Sequence, residues 1–285
     1  MQTRNVVQTL QAHAVSEGAG VTVHRTIGTP GLRSLDPFLM LDHFSSDDPD
    51  DYIAGFPDHP HRGFITFTYM IDGHMLHQDS MGNRGDLRSG GAQWMKAASG
   101  VIHSEMPQQA NGLMRGFQLW INLPSTEKMS DPEYQEYSSE AFPVVKTDNT
   151  SVKVLIGEYQ GQRSPVNDPL TKVQYLDVLL AASGKFKIDL PAPYQCFLYV
   201  FEGSLKAGNV SLKQHSISVF GEGEQIDVFA GEAGGRFILV AGIPVKEPVV
   251  QYGPFVMNSQ EEIQQAFIDF REGKLVRKKA SFETA

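Results

Sequence analysis

Disulfide chemistry is absent. The 285 residues contain one cysteine, Cys196, which excludes an intramolecular bridge and any cysteine-based zinc site. Long apolar runs are absent too. No stretch approaches the roughly 20 apolar residues of a membrane span, and the amino-terminal MQTRNVVQTLQAHAV lacks the uninterrupted apolar core of a secretory leader. These gaps predict a soluble protein of a reducing compartment, cytoplasmic or, in a eukaryote, nuclear, with no membrane partner. Positive charge is in short supply. Lys and Arg number 24 against 33 Asp and Glu, a formal net charge of −9, so the chain repels a phosphate backbone and direct nucleic-acid binding is excluded as a default function. Helical periodicity is scarce as well, because 27 glycines and 16 prolines cut the chain into short pieces.

What remains reads mainly as strands. Residues 64–70 (FITFTYM), 116–123 (GFQLWINL), 172–181 (KVQYLDVLLA), 196–202 (CFLYVFE) and 235–241 (GRFILVA) are rich in β-branched and aromatic side chains. Turn dipeptides such as Asp72-Gly73, Gly90-Gly91 and Gly208-Asn209 separate them. Many short strands between glycine-rich turns predict an all-β fold of antiparallel sandwiches or barrels. The length suits two domains. The polar segment 124–150 is the expected linker, and a distant likeness between Tyr69–Met75 and Val200–Leu205 hints at a duplicated β-domain. One helix is expected near the end of the chain. Ser259 and Glu262 stand at capping-box spacing, Ile263, Ala266, Phe267 and Phe270 form one apolar stripe, and Gly273 is the stop.

Chemistry is concentrated in the histidines, eight of nine of which precede residue 104. His59-Pro60-His61 and His103-Ser104-Glu105 are both i, i+2 patterns, and in an extended strand such residues share a face. Pro60 is compatible with extension. If the two strands are neighbours, three imidazoles and a carboxylate converge, a donor set suited to Fe, Ni, Cu, Mn or Zn with positions left open for substrate. Spacing alone leaves the alternative standing that the histidines are surface or half-buried residues with no metal. His74 and His77 are expected at the surface or a pocket rim, and His43 in the core or beside the site. His215 is the only histidine after residue 103, so the second half is expected to be metal-free. Cys196, in an apolar strand, reads as an inert buried thiol.

Asp36–Asp42 (DPFLMLD) and Phe56–Phe64 (FPDHPHRGF) resemble the pirin family, as do Asp79–Asn83 (DSMGN), Gly85-Asp86, Gln93–Met95 (QWM), Ala98–Glu105 (ASGVIHSE), Gln118–Trp120 (QLW) and Gln251–Asn258 (QYGPFVMN). The resemblance runs from about residue 20 to about 275. It implies a bicupin: an amino-terminal cupin barrel, residues 1–135, carrying one mononuclear metal, and a second, metal-free barrel, residues 136–285, ending in the helix. It also implies that His59, His61, His103 and Glu105 are the ligands and that the metal is most often Fe(II), with Ni, Co, Cu, Mn or Zn as alternatives; as a ligand able to shift, Glu105 is the expected general base.

Two activities follow from the resemblance. One is a dioxygenase that opens quercetin or a similar flavonol with O2 and releases carbon monoxide. The other is a non-catalytic iron protein that modulates a transcription factor or metabolic enzyme by protein contact. Phe44, Phe56, Phe64 and Met95 are candidates to line an aromatic-sized pocket, whereas Trp94 and Trp120 are expected in the core. One position departs from the family pattern. Where many members have glutamate four residues after the second histidine, this chain has Ile65, which is expected to remove an acid that supports the ligands.

Overall fold

The computed structural model describes residues 2–277, and the chain forms two compact units. The first contains residues 14–27, 38–139 and 245–277; the second contains residues 2–13, 28–37 and 140–244. One change of unit falls between 139 and 140. The units themselves are not contiguous halves, and residues 1 and 278–285 of the expected domains lie outside the described residues. Backbone pairing accounts for the difference. Val6–Gln11 is an edge strand hydrogen-bonded antiparallel to Ser216–Phe220, with Leu10 opposite Ile217, so the amino terminus belongs with the second half. At the other end, the Val256 N–H donates to the Arg62 carbonyl at 3.0 Å, which joins the last segment to the first half.

The first unit holds a seven-stranded sheet in the order Glu133–Tyr137, Ala92–Lys96, Phe64–Asp72, Met114–Asn122, Phe38–Ser46, Val21–Arg25, His13–Glu17, the last of which straddles the unit boundary. Its four-stranded sheet runs Phe56–His61, Val101–Pro107, His74–Asp79, Arg84–Arg88. The strands from Glu133–Tyr137 to Val21–Arg25 in the first sheet, and all four in the second, pair antiparallel. Side chains from the two sheets line one cavity of about 680 Å³.

The segment expected as a linker is structured. Glu133–Tyr137 pairs with Ala92–Lys96, and Val144–Thr147 pairs with Thr150–Ile156. Both are edge strands, which tolerate the polar composition that makes the segment read as a linker.

The second unit is built on a nine-stranded sheet. Its interior is packed with apolar side chains, among them Val154, Leu176, Phe186, Leu198, Phe237 and Leu239. Cys196 is buried in the same cluster, where burial pushes its thiol up to about 12.

The helix spans Gln260–Arg271, with Ser259 as its cap. The Glu262 N–H donates to the Ser259 hydroxyl at 3.2 Å, and the Glu262 carboxylate accepts from the Ser259 N–H at 3.0 Å. Ile263 and Ala266 are buried with Phe255, Met257 and Leu275, whereas Phe270, expected in the stripe, is 39% exposed. Among the described residues no helix is long and apolar enough to cross a membrane.

Candidate metal centre

Strand register brings the two histidine patterns together. Phe56–His61 and Val101–Pro107 are antiparallel neighbours in which His103 lies opposite His59 and Val101 opposite His61. The ligand nitrogens of His59, His61 and His103 all fall within 4.8 Å of one another, with His59 half-buried and the other two buried. A β-bulge between His103 and Glu105 breaks the register on this side. Glu105 stands outside the close cluster of three. Its carboxylate lines the cavity, accepting from the Thr68 hydroxyl at 3.2 Å and the Gln118 amide at 3.3 Å.

Each imidazole is anchored through Nδ1. His59 Nδ1 lies 2.8 Å from the Pro57 carbonyl and His61 Nδ1 3.4 Å from the Pro254 carbonyl. A carbonyl oxygen only accepts, so these nitrogens carry the proton and each neutral ring keeps its Nε2 lone pair free. His103 Nδ1 lies 3.4 Å from His77 Nδ1, and His103 Nε2 is buried without a hydrogen-bond partner. Burial, and then the neighbouring imidazoles, push His61 and His103 well below the usual histidine range. Closely spaced, half-anchored imidazoles with an orphaned buried nitrogen fit a metal ion, which accepts lone pairs and competes with protons for them.

The corner that follows His61 is tied down from several sides. Arg62 Nε donates to the Ser99 carbonyl at 2.7 Å, and its Nη1 donates to Asp269, on the helix, at 2.7 Å. Gly63 has φ +92°, and a Cβ there would lie 1.9 Å from the Val256 carbonyl oxygen, so only glycine allows the two backbones this close. Buried Lys128 donates to the carbonyls of Gly63 (2.7 Å) and Val256 (3.0 Å) and to the Asn122 side chain (2.7 Å).

Several expectations change here. His77 is not at the surface or a rim. It is 1% exposed, donates through Nε2 to Asp79 at 3.1 Å and stacks on Tyr134 with centroids 4.6 Å apart. His74 is only partly exposed and is bonded to Asp86. His43 is buried against Phe117, with centroids 4.8 Å apart. Phe44 and Phe56 line the cavity, but Phe64 and Met95 do not. Trp120 does line it, with its ring edge-on to His61 at 5.1 Å between centroids, so it belongs to the site and not only to the core, whereas Trp94 is buried.

Ile65 is fully buried, and it alternates with Thr68 along a regular stretch of strand. It therefore points to the face opposite the one that lines the cavity. An acid at this position would not have reached the histidines, and its replacement removes nothing from the site.

Five residues that shape the centre, His77, Asp79, Thr68, Gln118 and Pro254, stand outside the site expected from the sequence. His77 and Asp79 did carry a signal: they repeat the i, i+2 pattern, on the strand that pairs with the one bearing His103. Thr68, Gln118 and Pro254 come from elements far apart in sequence; Gln118 and Pro254 stand in family motifs, and Thr68 carried no signal.

The Pirin family model matches residues 20–121, and the model of the Pirin C-terminal cupin domain matches residues 175–276. The chain belongs to the pirin family. Its two β-units are therefore cupin domains. A Pseudomonas aeruginosa pirin relative that carries quercetin 2,3-dioxygenase as a provisional name is 46% identical over 95% of this chain and 98% of its own. Human pirin is 41% identical over 95% and 94%. Among solved structures, a quercetin 2,3-dioxygenase from Acinetobacter baumannii superposes with a TM-score of 0.89 at 29% identity, covering 97% of this chain and all of that one.

Proposed function

We propose that the chain is a metal-dependent dioxygenase that opens a flavonol, or a similar aromatic enol, with O2 and releases carbon monoxide. One observation carries the reading: three imidazoles cluster within 4.8 Å of one another, and two of them, His59 and His61, line a 680 Å³ cavity that also holds the Glu105 carboxylate. His59, His61 and His103 would hold the ion through nitrogen, with Glu105 as the fourth ligand. A divalent metal bound there, Fe(II) as the first choice and Ni, Co, Cu, Mn or Zn as alternatives, would supply Lewis acidity to a bound hydroxyl and, for all but redox-inert Zn, a route for electrons to O2.

The chain's own residues do the rest. Phe44, Phe56, Met40 and Trp120 give the cavity an apolar wall for an aromatic ring system. Thr68 and Gln118 hold the Glu105 carboxylate in place, and Glu105 accepts the proton of the substrate hydroxyl as general base. Arg25, paired with Asp42 at 2.7 and 2.6 Å and with Glu17 at 2.7 Å, adds a polar wall that hydroxyl groups can bond.

A cavity of this size supports catalysis over the alternative of an iron protein acting only by protein contact, which needs no room beside the ion. Anaerobic reconstitution with Fe(II), and separately with Ni, Co, Cu or Mn, should give loss of quercetin absorbance with carbon monoxide release on admission of O2. Glu105→Ala should abolish both. Stoichiometric metal without turnover in the wild-type protein would refute the catalytic reading and favour the regulatory one.

A further inference from the structure

We propose that Asp79 and His77 form a relay that fixes the tautomer of His103 and aims its Nε2 at the ion. The inference rests on the three-histidine centre above and assigns positioning residues to it. Two of the three imidazoles get their orientation from backbone carbonyls, of Pro57 and Pro254, which can only accept. The third has no carbonyl. Its Nδ1 faces another imidazole nitrogen, His77 Nδ1, at 3.4 Å.

Two facing ring nitrogens can share a hydrogen bond only if one is protonated and the other is not, and an imidazole contact alone does not say which. Asp79 decides it. Its carboxylate only accepts, so His77 Nε2, 3.1 Å away, is the donor, and in that imidazole tautomer Nδ1 is an acceptor. His103 Nδ1 must then donate, and its Nε2 lone pair stays free. That nitrogen is the one left buried without a partner.

Asp79 is itself rigidly held. It accepts from the backbone N–H groups of Met81 (2.9 Å) and Asn83 (3.0 Å) and from the Asn83 side chain (2.9 Å). His77 is kept in plane by stacking on Tyr134, whose hydroxyl donates to Glu136 at 2.7 Å. Every part of the chain from the Ser80–Asn83 turn to His103 Nε2 thus has one arrangement. An outer partner that orients a ligating histidine is worth about 10- to 100-fold in metal affinity.

The test reads tautomers in metal-free protein carrying ¹⁵N-labelled histidine, using long-range proton–nitrogen couplings. The expected result is a proton on Nε2 of His77 and on Nδ1 of His103. His103 protonated at Nε2, or exchanging between tautomers, in the wild-type protein overturns the proposal. His77→Phe keeps a ring for Tyr134 and removes both nitrogens. It should let the His103 tautomer average and weaken Ni(II) binding, measured by calorimetry, by about 10- to 100-fold.

His77→Gln, which can accept from His103 and donate to Asp79, should recover most of that affinity. Equal losses in His77→Phe and His77→Gln, with an unchanged His103 tautomer in both, would show a packing role and overturn the proposal. Should His77→Phe fail to fold, the wild-type tautomers decide alone. If those are as expected but Ni(II) does not bind the wild-type protein, the metal reading fails and the relay remains.

Discussion

Replacing Lys128 by methionine is the most informative single perturbation of the scaffold. The Lys128 ammonium is buried, and its three donors serve Gly63, Asn122 and Val256. Burial pulls its pKa from the usual 10.5 down to about 8, against the opposing pull of Glu247 and Glu262. That shift of roughly 2.5 units corresponds to about 3 kcal/mol of cost in burying the charge. Removing the side chain relieves this cost and leaves three acceptors without donors, at about 1–3 kcal/mol each. The acceptors win, and the variant should lose about 2 kcal/mol at pH 7.

The pH dependence is sharper. Between about 8 and 10.5 the unfolded chain holds the Lys128 proton while the folded chain has released it. The unfolded state therefore binds more protons, and stability rises with pH across this window. By pH 10 the wild-type protein should have gained about 2.5 kcal/mol from this group, a gain the methionine variant lacks. Other titrating groups are common to both proteins and cancel in the difference. The assay is urea unfolding of both metal-free proteins at pH 7 and pH 10, followed by tryptophan fluorescence. Both tryptophans, Trp94 and Trp120, lie in the histidine-bearing unit, so the signal reports that unit. A gap between the two proteins that stays constant or narrows from pH 7 to pH 10 would refute the reasoning.

Gly63→Ala should cost about 3 kcal/mol or more, since it adds a left-handed strain to an overlap with a backbone carbonyl; calorimetric melting and Ni(II) content should fall together. His61→Ala should abolish stoichiometric Ni(II) binding by elemental analysis while leaving the far-ultraviolet dichroism of a β-protein. In metal-free protein, stability should fall as pH drops below the ordinary histidine value of 6.5: His61 and His103 stay neutral when folded and take up protons only on unfolding, so acid favours the unfolded chain. Equal urea midpoints at pH 7.5 and pH 5.5 would count against that assignment. Cys196, with its thiol pushed up to about 12, should resist a thiol-specific chromogenic reagent at pH 8 until urea exposes it.

The all-β architecture was legible because strand composition and glycine turns act locally. FITFTYM, for example, is a strand wherever it packs. The capping box at Ser259 and Glu262 was legible for the same reason. The meeting of His59, His61 and His103 was legible only as a condition, that two strands be neighbours, and register is a non-local property. Polar composition misled at 124–150, because an edge strand and a linker both face water. It also misled at His77, where nearness to a turn in sequence concealed a buried position opposite Glu105. The exchange of segments between units left no trace in the sequence, since Val6–Gln11 reads as a strand whichever sheet it joins.

That exchange has a consequence for synthesis. The ribosome makes His59, His61 and His103 early, but the Pro254 carbonyl that orients His61 and the Asp269 carboxylate that holds Arg62 come some 150 residues later. At translation rates of about 5–20 residues per second, roughly 8–30 seconds separate the three imidazoles from the partners that fix the corner beside them. A nascent chain can therefore pair the two histidine-bearing strands before it holds the groups that orient His61 and Arg62. On the proposed reading, a truncation near residue 245 would spare His59, His61, His103 and Glu105 while removing the Pro254 carbonyl and the Asp269 carboxylate beside them.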